Sequence, residues 1–254
     1  MPIVRAMSNI SIGIVDTEVM TDHPVFKNAT INSKKFIKYK GDAQLRNHGT
    51  AVTSIIAGRN AAYQGLIPNV SIFTAGAFYT TKRGTQSATT HSLVSSVNWL
   101  VEQKTNIINM SLSGPPNDIL ESAIKDAFAK KSIIVAAIGN KGPNSKPLFP
   151  AAYEGVIAVT AVKFDKSIYR LANQGDHVDF SAPGVSISHA LGDGGYGVSS
   201  GTSVAAPFVT SLIAYELAQA NYSQDAIIAR LKERSLDLGD TGFDTVFGHG
   251  LIQP

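Results

Sequence analysis

At 254 residues, with 44% apolar and 16% charged side chains, the chain has a globular composition and enough length to bury a substantial core. The net charge of +3 comes from 22 basic and 19 acidic residues without a long basic run, so no nucleic-acid surface is indicated. The absence of cysteine excludes disulfides, thiolate metal sites and a cysteine nucleophile, and no apolar run reaches the length of a membrane span.

The opening MPIVRAMSNISIG lacks the charged-then-apolar layout of a signal peptide. The first strand is expected over 10–15 (ISIGIV), with Asp16 directly after it. A helix is expected over 48–58, opened by His48, and a second strand over 70–76. A helix over 90–103 and a strand over 105–113 follow. The segment 117–131 carries apolar residues at 119, 120, 123, 124, 127 and 128, a helical stripe with Asn117 or Asp118 as cap. Strands over 132–139 and 155–162, a helix from near Ser203 and a helix over 223–235 complete the reading. The near-continuous apolar strands and their alternation with helices predict an α/β fold. It is a doubly wound, mostly parallel sheet flanked by helices, in a single domain over 1–254.

In open sheets of this kind, reactive groups gather at strand carboxyl ends and the adjoining helix amino ends. Four residues fall there: Asp16, His48, Asn140 in AAIGNKGP, and Ser203 in GTSVAAP. Each alone is as readily a turn or cap residue. Together they supply what acyl transfer requires. A serine hydroxyl needs an imidazole to take its proton, and the imidazole needs an acid to fix its tautomer. A carboxamide N–H is a second donor for a tetrahedral oxyanion, beside the nucleophile's backbone N–H.

These landmarks, with DTEVMTDHP, HGT, NIINMSLSG, DFSAPGVSI and FGHGLIQP in this order, resemble the subtilisin-like serine proteases, the subtilase family. The likeness covers nearly the whole chain. It implies the subtilisin-like three-layer fold and a serine endopeptidase with Ser203 as nucleophile, His48 as base, Asp16 orienting His48 and Asn140 in the oxyanion hole. It also implies an extended polypeptide as substrate, paired along Ser111, Leu112, Ser113 and Gly114, with Gln86–Ala88 on the other side. The specificity pocket is expected between residues 112–114 and a wall of Ala137, Ile138, Gly139, Asn140 and Lys141, with Leu148 at its base. Leu148 shortening that pocket and Lys141 charging its rim would favour a medium-sized or acidic residue before the cleaved bond. An inhibitory propeptide is a further implied partner; none is read within the chain, because Ile12 already begins the first core strand. A monomer is expected, secreted or periplasmic if this is a mature domain and cytoplasmic if the chain is complete.

The chain departs from the family pattern at three points. Glu18 stands where a glycine is usual, and is expected to face solvent. Ala51-Val52-Thr53-Ser54 replaces a His-Val-Ala-Gly run. Val25 replaces an acidic calcium ligand, and the following loop has no acidic insert, so the tight calcium site is expected to be missing and no cofactor is required. Backbone carbonyls near Ala151, Tyr153 and Val156 remain as a weaker cation site. His23, His91, His177, His189 and His249 have no metal spacing and read as loop or surface residues. Two competing readings remain. A peptide-binding module that has lost its chemistry is disfavoured by the intact triad. A nucleotide-binding protein would need a Gly-rich turn after the first strand, which IVDTEV lacks.

Overall fold

The computed structural model describes residues 7, 9–37, 46–220 and 222–254. Its centre is a seven-stranded, all-parallel sheet in the order β2-β3-β1-β6-β7-β8-β9. These strands are β1 (Ser11–Asp16), β2 (Thr30–Lys35), β3 (Ser71–Gly76), β6 (Ile107–Met110), β7 (Ile133–Ala137), β8 (Ile157–Val162) and β9 (Phe180–Pro183). Two antiparallel hairpins lie outside it: β4 (Phe78–Thr80) with β5 (Gln86–Ala88), and β10 (Ile187–Ala190) with β11 (Tyr196–Ser199). The helices are α1 (Asn47–Ala57), α2 (Thr90–Glu102), α3 (Asp118–Ala129), α4 (Thr202–Gln219) and α5 (Gln224–Arg234).

Successive strand residues point to opposite faces, and here both faces are covered, which is why the strands read as continuous apolar runs. Ile12, Ile14, Ile107, Val135 and Val159 pack with Val52 and Ile56 of α1, Val209 and Ile213 of α4, and Ile227 of α5. Val15, Ile108, Ile134 and Ala158 pack on the other face with Val97 and Leu100 of α2 and Ile124 of α3. Glu216 of α4 is buried, and both its oxygens are claimed from α5, by Arg230 Nε at 2.6 Å and Arg234 at 2.5 Å. This clamp fixes α5 against α4.

All five predicted helices and five predicted strands are present, with ends displaced by a few residues. Missed in the sequence are β2, β4, β9 and the hairpin β10–β11. β2 is an edge strand paired only with β3 and largely exposed, so TINSKK carries no apolar period. Of the histidines expected in loops or at the surface, two are buried, His23 at 1% and His189 at 3% exposed; His23 lies in a loop, but His189 is in β10. Each is held by two hydrogen-bond contacts, His23 with Val25 N and Gly195 O, and His189 with Ala190 O and Ser199 Oγ. Glu18 is taken up by Lys35 of β2 in an ion pair, where solvent was expected.

Candidate active site

Asp16 is the last residue of β1, buried at the carboxyl edge of the sheet beside the start of the β3–β4 connection. Its Oδ1 accepts the Thr17 N–H at 2.6 Å. His48 is in the first turn of α1, and its Nδ1 lies 2.8 Å from both Oδ1 and Oδ2 of Asp16. A carboxylate only accepts, so Nδ1 carries the proton and Nε2 of the neutral ring is left as an acceptor. The glycine of HGT makes this approach possible. A side chain at Gly49 would meet Thr17 O at 2.3 Å, and the Gly49 N–H is bonded to Thr17 Oγ1 at 2.8 Å. Burial by itself would lower the His48 pKa, but the charge of Asp16 and its hydrogen bond outweigh this, and the net shift is upward from 6.5.

Ser203 is in the first turn of α4, whose amino end concentrates positive potential. Gly201 before it has φ 155°, and a Cβ there would lie 3.0 Å from Asn140 Nδ2. His48 and Ser203 line one cleft of about 880 Å³, together with Asn47, Thr80–Lys82, Gln86, His189, Leu191 and Ser199. No direct hydrogen bond joins Ser203 Oγ to His48 Nε2, as is common in resting hydrolases, where the contact tightens only with substrate.

Asn140 follows β7 and is oriented by Thr202, a residue that sequence reasoning passed over inside the GTS motif. The Thr202 N–H donates to Asn140 Oδ1 at 3.0 Å, and the Thr202 hydroxyl lies 3.2 Å from the same oxygen. Thr202 Oγ1 also accepts the Gly139 N–H at 3.1 Å. With Oδ1 so occupied, Asn140 Nδ2 and the Ser203 N–H are donors without a partner among the described residues.

A buried polar network underlies Ser203. Pro207 has no N–H for the carbonyl of Ser203 four residues earlier. The Ser111 hydroxyl donates to that carbonyl at 2.8 Å instead. Ser111 Oγ accepts in turn from Asn109 Nδ2 at 2.9 Å, and Asn109 Oδ1 accepts from the Thr210 hydroxyl at 2.9 Å.

The other expected substrate residues are more dispersed. Residues 111–114, 137–141 and 148 do not line the 880 Å³ cleft. Gly114 exchanges two backbone hydrogen bonds with Phe149, at 2.8 and 2.9 Å, which holds the segment after β6 extended. Leu112 is half-buried against the α2–α3 face, and Ser113 is exposed. The Ala137 and Ile138 side chains are buried, so only their main chain can form a wall. Leu148 packs against Gly139, where a Cβ would lie 2.6 Å from its Cδ1. Lys141 is exposed, and its N–H is bonded to Asn173 Oδ1 at 2.8 Å.

The residues present do not fit the family's tight calcium site. Val25 is 1% exposed and packs with Val19, Phe26 and Ala190, an apolar cluster without a carboxylate. The loop after α1 is closed by the Arg59–Gln64 bridge and by Asn60 Oδ1, which accepts from Ala62 and Tyr63 N–H at 2.9 Å each. At the weaker candidate, the Tyr153 carbonyl already accepts the Val156 N–H at 3.2 Å. Among the described residues, no group of three or more His, Cys, Asp or Glu stands together to hold a metal ion. No helix among them is long and apolar enough to cross a membrane.

The Subtilase family profile matches residues 7–250. The chain is 32% identical over 253 residues to the minor extracellular protease Epr of Bacillus subtilis (strain 168), covering 96% of this chain but only 38% of that protein. It is 32% identical over 264 residues to the major intracellular serine protease of the same organism, covering 96% of this chain and 81% of that one. The solved structure of a cold adapted subtilisin-like serine proteinase superposes with a TM-score of 0.83 at 27% identity, over 95% of this chain and 87% of that one. The relatives thus include both extracellular and intracellular enzymes. The chain belongs to the subtilase family, the subtilisin-like serine proteases.

Proposed function

We propose that the chain is an endopeptidase that works through Asp16, His48 and Ser203 by way of an acyl-enzyme. Ser203 Oγ attacks the peptide carbonyl carbon as its proton passes to His48 Nε2. The oxyanion is held by Asn140 Nδ2 and the Ser203 N–H, at the positive end of α4. Asp16 keeps His48 in the Nδ1–H tautomer and balances the imidazolium charge. Collapse breaks the C–N bond, and the leaving amine takes the proton from His48. Water then attacks the ester carbonyl as His48 Nε2 takes its proton; the bond to Ser203 Oγ breaks, Oγ takes the proton from His48, and the carboxylic acid leaves. The peptide lies extended along Ser111–Gly114, with Leu148 and Lys141 at the pocket for the residue before the cleaved bond.

One observation carries this reading: His48 Nδ1 sits 2.8 Å from both oxygens of a buried carboxylate, and His48 shares a cleft with Ser203. The test is cleavage of a quenched polypeptide substrate by the wild type and by Asn140→Ala. Loss of one oxyanion donor costs about 10²–10³-fold in turnover, a magnitude known from a subtilisin itself. Equal turnover by the two proteins would remove Asn140 from the mechanism.

A further inference from the structure

Two residues of the cleft wall take no part in this chemistry. His189 of β10 is buried, and Ser199, the last residue of β11, is exposed on the cleft. His189 Nδ1 lies 3.0 Å from Ala190 O, and Nε2 lies 2.7 Å from Ser199 Oγ. A carbonyl oxygen can only accept, so Nδ1 carries the ring proton. Nε2 of the neutral ring is then bare, and the Ser199 hydroxyl donates its single proton to it. Ser199 Oγ therefore faces the cleft with lone pairs alone.

Asn47 lines the same cleft and has the opposite polarity. Its Oδ1 accepts the Gly192 N–H at 2.8 Å, which fixes the orientation of the amide. Nδ2 is left as a donor without a partner among the described residues. Among the described residues, Lys82 is the only Lys or Arg lining the cleft, and no carboxylate lines it.

The cleft holds Gln86 of the acyl side as well, and Asn47, His189 and Ser199, on the elements around His48, are assigned to the side of the leaving group. Asn47 precedes His48 in α1, and β10 is tied to α1 through the Ala190 N–H, 2.9 Å from Ser54 Oγ. The acyl half of the peptide is assigned to Ser111–Gly114 and Gln86–Ala88, and His48 delivers its proton to the amine that departs.

We propose that Ser199, polarised by His189, and Asn47 form a subsite for a primary carboxamide: the side chain of Gln or Asn immediately after the cleaved bond. The amide NH₂ donates to Ser199 Oγ, and its oxygen accepts from Asn47 Nδ2. A carboxylate offers Ser199 no donor and sets lone pairs against lone pairs. A Lys or Arg side chain shares the cleft with Lys82. An aliphatic side chain covers both polar groups and pairs neither. The proposal rests on the assignment of His48 as proton donor to the leaving amine.

The experiment compares kcat/KM for four peptides that differ only in the residue after the cleaved bond: Gln, Glu, Leu and Lys. In the wild type, Gln leads each of the others by about tenfold. In Ser199→Ala, the lead of Gln over Leu falls to within about threefold. In His189→Phe, the Ser199 hydroxyl is free to turn and donate, so Glu gains on Gln, whereas a merely structural His189 would slow all four peptides alike. Should His189→Phe fail to fold, the exposed Ser199→Ala decides alone. Equal rates for the four peptides in the wild type, or an undiminished lead for Gln in Ser199→Ala, overturns the subsite and leaves the endopeptidase reading standing. A folded wild type that cleaves none of the four overturns both.

Discussion

The Ser111 hydroxyl donates to the Ser203 carbonyl at 2.8 Å, the carbonyl that Pro207 leaves without its helical partner. The proline of GTSVAAP and the serine of NMSLSG, far apart in the chain, are thus two halves of one local solution. The helix start that carries Ser203 lacks one bond of its own ladder and is tied instead to Ser111, the residue that follows the central strand β6.

Ser111→Ala should therefore weaken both stability and turnover. It strips the Ser203 carbonyl and Asn109 Nδ2 of their partners together, at a cost of about 1–3 kcal/mol. The loosened turn lowers kcat by about tenfold with little change in KM. Thermal melting and steady-state kinetics check both, and unchanged kcat would detach Ser111 from the nucleophile.

The pH–rate profile reports on His48. Because Asp16 raises its pKa above 6.5 against the opposing effect of burial, the acid limb of kcat/KM should have its midpoint above 6.5. Asp16→Asn removes the charge and fixes the wrong tautomer. The limb should move down, and the rate should fall by about 10⁴-fold.

Asp179 makes a separate contribution to stability. Burial raises its pKa from 3.8 to about 6, against the lowering effects of the Ala158 N–H and Lys232. Its folded pKa exceeds the unfolded one, so between these values the native state binds more protons, and stability falls as pH rises. The loss by pH 7 is about 3 kcal/mol. His177 and His249, whose pKa values burial lowers, oppose this trend, so a variant is needed to isolate it. Asp179→Asn keeps an acceptor for Ala158 and should be more stable than the wild type at pH 7.5 but not at pH 4. Denaturant titrations at the two pH values measure the difference.

The apolar plug at Val25 predicts indifference to chelation. With Val25 packed among Val19, Phe26 and Ala190, EDTA should shift the melting temperature by less than about 2 °C. A fall of many degrees would reveal a cation site elsewhere.

The parallel α/β architecture, and the places of Asp16, His48, Asn140 and Ser203 at strand or helix ends, were legible because strand–helix alternation and short motifs at strand ends are local signals. What escaped depends on pairing across the fold. The burial of His189 is paid for by Ser199 on the facing strand, and neither residue has a motif around it. Thr202 stood inside a quoted motif, yet its hold on Asn140 needs the two segments brought together. The sequence marks Ser111 only as a main-chain edge for substrate; the hydrogen bond from its side chain to Ser203 follows from Pro207, distant in the chain.

The most direct test is the site of covalent modification by a fluorophosphonate probe, mapped by tandem mass spectrometry. The account predicts one adduct on Ser203 in the wild type and none in a folded Ser203→Ala. An adduct on any other residue of the wild type, or undiminished labelling of Ser203→Ala, would contradict it.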